Sequence, residues 1–277
     1  MNTTKFSVAL SVYENDNAAQ LNRALESITS LQTVKPSEIV LVVDGPIGSE
    51  LNDVIEKYVQ DSDIYKVIRL AQNVGLGNAL KIAVESASHE LVARMDSDDI
   101  SEPTRFEQQL AVFEKDPMVD IVGGDISEFI DAEDNVVAYR CVPQSNKEIR
   151  EYMQTRCPLN HVSVMFKKTS VQKAGGYLDL FWNEDYYLWI RMFLCGAIFA
   201  NTGTVLVNVR TGNDMYQRRG GKQYFESEKF LQQYMLNNKM ISKNTYCKNI
   251  LKRWIVQRVL TNRLRGWVFR TFARKGK

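Results

Sequence analysis

Three carboxylates fall within four residues at Asp96-Ser97-Asp98-Asp99, and a further pair stands at Glu184-Asp185. Crowded acids repel one another unless a cation stands between them, and their oxygens are hard donors suited to Mn²⁺ or Mg²⁺. The competing reading of the first cluster is a solvated acidic turn or helix cap. A calcium hand is disfavoured: counted from Asp96, the fifth position is Ile100 and the sixth is Ser101 rather than glycine. Glu184 and Asp185 open a segment of helical periodicity, where acids are favoured by the helix dipole, so simple capping is one reading. The other is a general base, a carboxylate that takes the proton from an attacking hydroxyl.

Three weaker signals accompany these acids. Gly75-x-Gly77 lacks the third glycine of the dinucleotide fingerprint, since position 80 is Leu; it reads as a tight turn whose backbone approaches a nucleotide. His161 is one of only two histidines and is either a structural hydrogen-bonding group or a ligand contact. Arg210, Arg218 and Arg219, among Gly212, Gly220 and Gly221, form a loop that either folds over phosphates or stays exposed.

The elements around these residues follow from hydropathy. Phe6–Tyr13, Glu38–Val43, Tyr65–Leu70 and Leu91–Met95 read as strands. Helical spacing runs through Leu21–Ile28, Leu51–Tyr58 and Ala79–Ala87. This alternation predicts a parallel sheet with helices on both faces, and ligands bind such sheets at the carboxyl ends of the strands. Asp44 and the acid cluster both fall at that edge. Val119–Gly124, Ser163–Phe166 and Val205–Val209 read as further strands and Trp182–Leu194 as a helix, with helical character from about 222 onward.

Composition is that of an ordinary globular chain: 277 residues, 44% apolar and 25% charged, which excludes collagen-like, disulfide-rich and low-complexity classes. Charge is divided. After Glu228 come thirteen cations and no acid, whereas the first 228 residues hold 22 cations against 33 acids. Trp254, Trp267 and Phe269 are interleaved with the late cations. A basic amphipathic helix of this kind suits an anionic bilayer, or else packs on the core with a solvated cationic face. Nucleic acid is not expected, because no RNA-binding consensus or helix-turn-helix pattern is present. The four cysteines contain no CxxC pair, and neither a secretory signal nor an apolar run of eighteen residues occurs. The expected location is cytoplasmic, peripheral on the inner face of the plasma membrane.

In order, Ser7-Val8, Ser11-Val-Tyr13, Val42-Val-Asp44-Gly45, Asn73-x-Gly75, Asp96-Ser-Asp98-Asp99 and Glu184-Asp185-Tyr186 resemble the inverting family-2 glycosyltransferases of GT-A fold. Asn160–Lys167, Gly175-Gly176-Tyr177 and Arg218-Arg219-Gly220 are similar to bacterial exopolysaccharide and capsule members. The resemblance spans about residues 5–225. It implies an α/β, Rossmann-like, mostly parallel sheet flanked by helices. The expected division is a nucleotide-binding half over about 1–100, an acceptor half over about 101–225, and a helical basic extension over 226–277. The implied donor is a nucleotide-diphosphate sugar, UDP-linked, and the implied acceptor a glycan or lipid-linked oligosaccharide.

Residue roles follow the same resemblance. Ser11, Tyr13, Glu14, Asp44, Asn73, Gly75, Asp96 and Ser97 would bind the nucleotide. Asp98, with Asp96, would hold the metal, and Arg218 and Arg219 the phosphates. Asp185 would be the catalytic base, with Glu184, His161 and Trp182 at the acceptor. Val43 stands where many members carry a second acid, so the base contact rests on Asp44 alone. Two alternatives remain in view: a binding module that keeps this fold without turnover, and a haloacid-dehalogenase-type phosphatase, whose nucleophile would follow the first strand rather than the fourth.

Overall fold

Every residue of β2 (Glu38–Val43) is buried, and a strand buried on both faces needs helices on both sides. The structure, a computed structural model, describes residues 4–212, 220–261 and 264. Around β2 stand β1 (Phe6–Val12), β3 (Tyr65–Arg69) and β4 (Leu91–Met95), all parallel, in the order β3-β2-β1-β4. Alternate residues part to opposite faces. Val8, Leu10, Ile39 and Leu41 join the core beneath α1 (Ala18–Ile28) and α2 (Ser49–Asp61). Ala9, Val40, Val42 and Val92 pack with α3 (Leu76–Ser86).

The sheet then departs from a purely parallel plan. After β5 (Ile100–Ser101) and α4 (Arg105–Lys115) come β6 (Ile121–Phe129), β7 (Val136–Arg140) and α5 (Asn146–Met153). The chain continues as a single 3₁₀ turn at His161–Ser163, β8 (Met165–Lys167), α6 (Lys168–Lys173), α7 (Glu184–Leu194) and β9 (Phe199–Arg210). β8 lies between β4 and β6 and runs antiparallel to both; β9 is parallel to β6 and antiparallel to β5, while β7 pairs with β6. Apolar periodicity reveals a strand but not its direction, and β8 enters from a short turn rather than from the crossover helix a parallel neighbour needs.

Past Gly221 the chain forms α8 (Lys222–Asn237), α9 (Lys243–Trp254) and a π turn at Ile255–Val259. Leu231 and Met235 of α8 are fully buried in the core that holds Leu188 and Trp189 of α7. On α9, Asn249 donates to Gln154 O at 2.9 Å and to Gln232 Oε1 at 2.7 Å, and Arg253 pairs with Glu228. The described part of the basic segment therefore packs on the body, while Leu251, Trp254, Ile255 and Val259 stay exposed.

Candidate active site

Parallel register places the ends of β1, β2 and β4 at one edge, and side chains there lace the following loops together. Asp16 Oδ2 accepts from Tyr13 N at 3.0 Å and from Ser97 Oγ at 2.9 Å, joining the loop after β1 to the loop after β4. Tyr13 and Glu14 are exposed above that link, and Ser11 is the last residue but one of the strand below it. Asp44 is buried, and its carboxylate accepts from Val74 N at 2.7 Å and Gly75 N at 3.0 Å. Asn73 Nδ2 donates to Asp44 O at 3.2 Å. Asp44 thus shapes the turn into α3, a duty its strand-end position does not disclose. Gly45 is required here: its φ is +92°, and a Cβ would meet Asn73 N at 2.7 Å.

Asp96, Asp98 and Asp99 each offer a carboxylate oxygen within 4.8 Å of the others. Arg94, buried on β4, donates Nη1 to Asp96 Oδ2 at 2.5 Å and grips the other oxygen through Nη2. Asp99 is buried and accepts from Arg210 N at 2.8 Å. One guanidinium does not balance the crowd. Burial first, then the charges of Asp96 and Asp16, push the Asp98 carboxyl up to about 6. Asp99 is held well above the usual range by burial, then by Asp96 and Asp98. A half-buried, all-oxygen cluster with unmet negative charge is chemistry that a divalent cation fits.

Arg94→Met keeps the length of the side chain and removes the counter-charge. Breaking a buried pair on one side costs about 3 kcal/mol at the low end, the fitting end here because Asp96 is partly exposed. For a chain of this size that is a fall in Tm of roughly 6–12 °C. Thermal unfolding followed by circular dichroism checks it; an unchanged midpoint would contradict the role given to Arg94.

The second set of acids opens α7. Asn183 anchors that end by donating to Ser227 Oγ of α8 at 3.0 Å. Glu184 lies against the first turn of α3, where a Cβ on Gly77 would stand 3.5 Å from Glu184 Cβ. Asp185 Oδ1 accepts from Tyr186 N at 2.6 Å, and Cys157 Sγ donates to Oδ2 at 3.8 Å. Trp182, at φ +56°, exposes 53% of its surface. A cavity of about 380 Å³ opens beside Asp185, walled by Trp182, Arg140, Arg156, Lys252 and Arg253 among others. The wall from α9 is a contribution that local pattern does not reveal.

Glu184 is pushed up to about 7, by burial first and the charge of Asp185 second, so the folded state binds this proton more tightly than the unfolded chain. Its contribution therefore favours folding in acid and is lost as pH rises from about 4.5 through about 7. Glu184→Gln should flatten that part of the stability profile and be more stable than wild type at pH 8 by about 2 kcal/mol. Parallel denaturation curves at pH 5 and pH 8 decide it.

The two acidic sites are close enough that the charge of Asp96 acts on Glu184. His161 is not in the cavity wall. It is half-buried, 2.8 Å from Tyr177 Oη through Nε2 and edge-on to Trp189, and burial followed by Arg94 holds it well below the usual imidazole range. Arg218 and Arg219 lie outside the described residues. Two residues not singled out by sequence reasoning belong to the site: Asp16 and Arg94. A cation inside an otherwise buried strand, two residues before an acid cluster, is the signal that points to Arg94.

A Rossmann-like sheet with an acid cluster at its strand ends and a second acidic pair near it is the arrangement of a GT-A glycosyltransferase. Residues 7–175 match glycosyl transferase family 2, and the chain belongs to that family. An uncharacterized glycosyltransferase of Haemophilus influenzae is 42% identical over 81% of this chain and 82% of its own. The amylovoran biosynthesis glycosyltransferase AmsE of Erwinia amylovora is 38% identical over 80% and 82%. An Escherichia coli protein named UDP-Gal:alpha-D-GlcNAc-diphosphoundecaprenol beta-1,3-galactosyltransferase is 36% identical over 99% and 98%. Among solved structures, S. aureus TarS 1–349 in complex with UDP-GlcNAc superposes with a TM-score of 0.65 at 18% identity, covering 97% of this chain and 76% of that one. The longer TarS chain is covered over 44% of its length.

Proposed function

We propose that this glycosyltransferase moves a sugar from a UDP-sugar to a hydroxyl of a lipid-linked glycan, with inversion and with a divalent metal, in the assembly of a surface polysaccharide. The observation that carries the reading is the convergence of two acidic sites with different surroundings. One is a crowded oxygen cluster behind Arg94; the other is Asp185 at the wall of a separate cavity. The E. coli relative, similar over nearly its whole length, bears a name that specifies a UDP-sugar donor and a diphosphate-lipid acceptor.

In this reading Ser11, Tyr13 and Glu14 line the nucleotide, with Asp44, Asn73, Gly75, Asp96 and Ser97 forming its floor. Asp98, assisted by Asp96, holds the metal, which when bound supplies Lewis-acid stabilisation of charge on the departing diphosphate. Arg218 and Arg219 are assigned to the phosphates on the sequence resemblance alone. Asp185 takes the proton from the acceptor hydroxyl as that oxygen bonds to the anomeric carbon from the face opposite the diphosphate. The bond from the anomeric carbon to the phosphate oxygen breaks in the same displacement, its electron pair leaves with the diphosphate, and the configuration inverts. Trp182 offers a face for the acceptor ring, and Glu184 stands beside it.

A donor screen tests the reading: nucleoside diphosphate release from a panel of nucleotide sugars, with and without Mn²⁺ or Mg²⁺. Metal-dependent release of UDP is expected. Hydrolysis of simple phosphoesters independent of nucleotide sugar would instead favour a phosphatase. Tight donor binding without turnover, across a range of acceptors, would mark a binding module.

Membrane association is a further part of the proposal. No helix among the described residues is long and apolar enough to cross a membrane. Exposed Leu251, Trp254, Ile255 and Val259 alternate with Lys248, Lys252 and Arg258, the composition of a surface-lying helix. Truncation from 245 would remove Asn249 and Arg253, which hold α9 to the body, so the useful deletion is 262–277. It removes six cations, each worth about 1 kcal/mol near an anionic surface. Salt-sensitive sedimentation of the full chain with anionic vesicles is expected and should weaken in the deletion; absence of binding by the full chain would remove the membrane assignment, and undiminished binding by the deletion would confine the contact to 248–259.

A further inference from the structure

The turn that carries the acid cluster is held from two strands. Arg94 of β4 grips Asp96. The later half of the turn is held from β9. Antiparallel pairing of β5 with β9 sets Ile100 opposite Asn208 and Ser101 opposite Val207. Carried two residues further, that register brings Asp98 opposite Arg210, but the chain bends at Ser97 and Asp98, so no strand ladder fixes it there. Arg210 supplies bonds in the ladder's place. Its backbone N donates to Asp99 Oδ1 at 2.8 Å, and its side-chain Nε donates to Asp98 O at 3.3 Å. The same guanidinium donates through Nη1 to Asp131 O at 3.0 Å and lies 4.7 Å from the centre of the Phe129 ring. Asp131 stands at φ +60° in the connection between β6 and β7, and Glu133 of that connection pairs with Arg23 of α1 at 2.7 Å. Arg210 thus ties the acid turn to a hairpin that is itself fastened to α1.

We propose that Arg210 is a positioning residue for the divalent cation: it fixes the backbone at Asp98 and the carboxylate of Asp99, so that the crowded acids stay converged instead of splaying apart. The inference rests on the metal reading above and adds to it the device by which this chain prepares the site. Groups that orient metal ligands without touching the ion govern affinity by about 10–100-fold. Charge alone argues the other way. A guanidinium near the site repels a divalent cation, so by Coulomb's law its removal would tighten binding. Positioning predicts the opposite sign, and the two effects are therefore separable by experiment. Arginine is also specific for the task. Its rigid, planar fork spans Asp98 O and Asp131 O together, whereas a lysine would keep the charge and lose the fork.

Electron paramagnetic resonance of Mn²⁺ titrated into the full chain in the presence of UDP tests the proposal, since the signal of the free ion reports binding without turnover. The proteins are wild type, Arg210→Gln, Arg210→Lys and Asp98→Asn, each melted in EDTA alongside. Mn²⁺ affinity should fall about tenfold in Arg210→Gln and by a smaller factor in Arg210→Lys, which keeps one donor. A purely structural role would lower the melting temperature and leave the Mn²⁺ dissociation constant of the folded protein unchanged. Affinity equal to or tighter than wild type in Arg210→Gln would overturn the proposal. Should Arg210→Gln fail to fold, Arg210→Lys decides by the same criterion. The metal reading itself is judged by the other two proteins. Absence of Mn²⁺ binding by wild type, or undiminished binding by Asp98→Asn, would overturn that reading and this inference with it. Binding lost in Asp98→Asn but kept in Arg210→Gln would strike out the role of Arg210 alone.

Discussion

Asp185→Asn is expected to lower turnover by roughly 10²–10⁴-fold, the usual contribution of a general base. The substitution keeps the size of the side chain, and its amide oxygen can still accept from Tyr186 N while the amide nitrogen replaces the oxygen that faces Cys157 Sγ, so the α7 N-terminus keeps its form. What is lost is proton affinity. Donor binding is assigned in this proposal to the strand ends around Asp44 and Asp98, so the dissociation constant for UDP should hardly move. A fall in kcat without a rise in donor KM would place Asp185 in the transition state rather than in ground-state binding. Undiminished turnover would remove it from the mechanism.

The second large effect is expected at Asp98, and it has two opposite signs. Asp98→Asn leaves an amide oxygen in place of a charged one, so metal-dependent transfer should fall at least about 100-fold at low Mn²⁺. The same change relieves the crowding that pushes the native carboxyl up to about 6. In EDTA at pH 8 the variant should therefore melt higher than wild type, by about 2–6 °C. The pairing of lost activity with gained stability marks a site held under electrostatic strain for function. A variant that is both inactive and less stable would assign Asp98 to the scaffold.

Much of this arrangement is legible in the chain itself. β1, β2 and β4 are short apolar runs flanked by turn residues, and the acids that follow them sit at strand ends by local necessity, so the edge proposed for the donor can be located before any folding is considered. The opening of α7 is equally local. What escapes is tertiary. The three-residue β8 carries no mark of its direction, and β7 and β5 acquire meaning only from the partners they pair with. The carboxylate of Asp44 serves amides thirty residues away, and the cavity beside Asp185 is finished by Lys252 and Arg253 from a helix that, read alone, is only basic and amphipathic. Arg94 is the instructive case. A buried cation looks like an exception to its strand until the acids it serves stand beside it.

The central claim is that the cluster after β4 holds the ion at the donor diphosphate. Anomalous diffraction from crystals soaked with UDP-sugar and Mn²⁺ addresses it directly. A manganese peak is expected on the Asp98 carboxylate with the diphosphate oxygens in the same coordination sphere. A peak at another site, with the donor bound and the Asp98 carboxylate out of contact with it, would contradict the account.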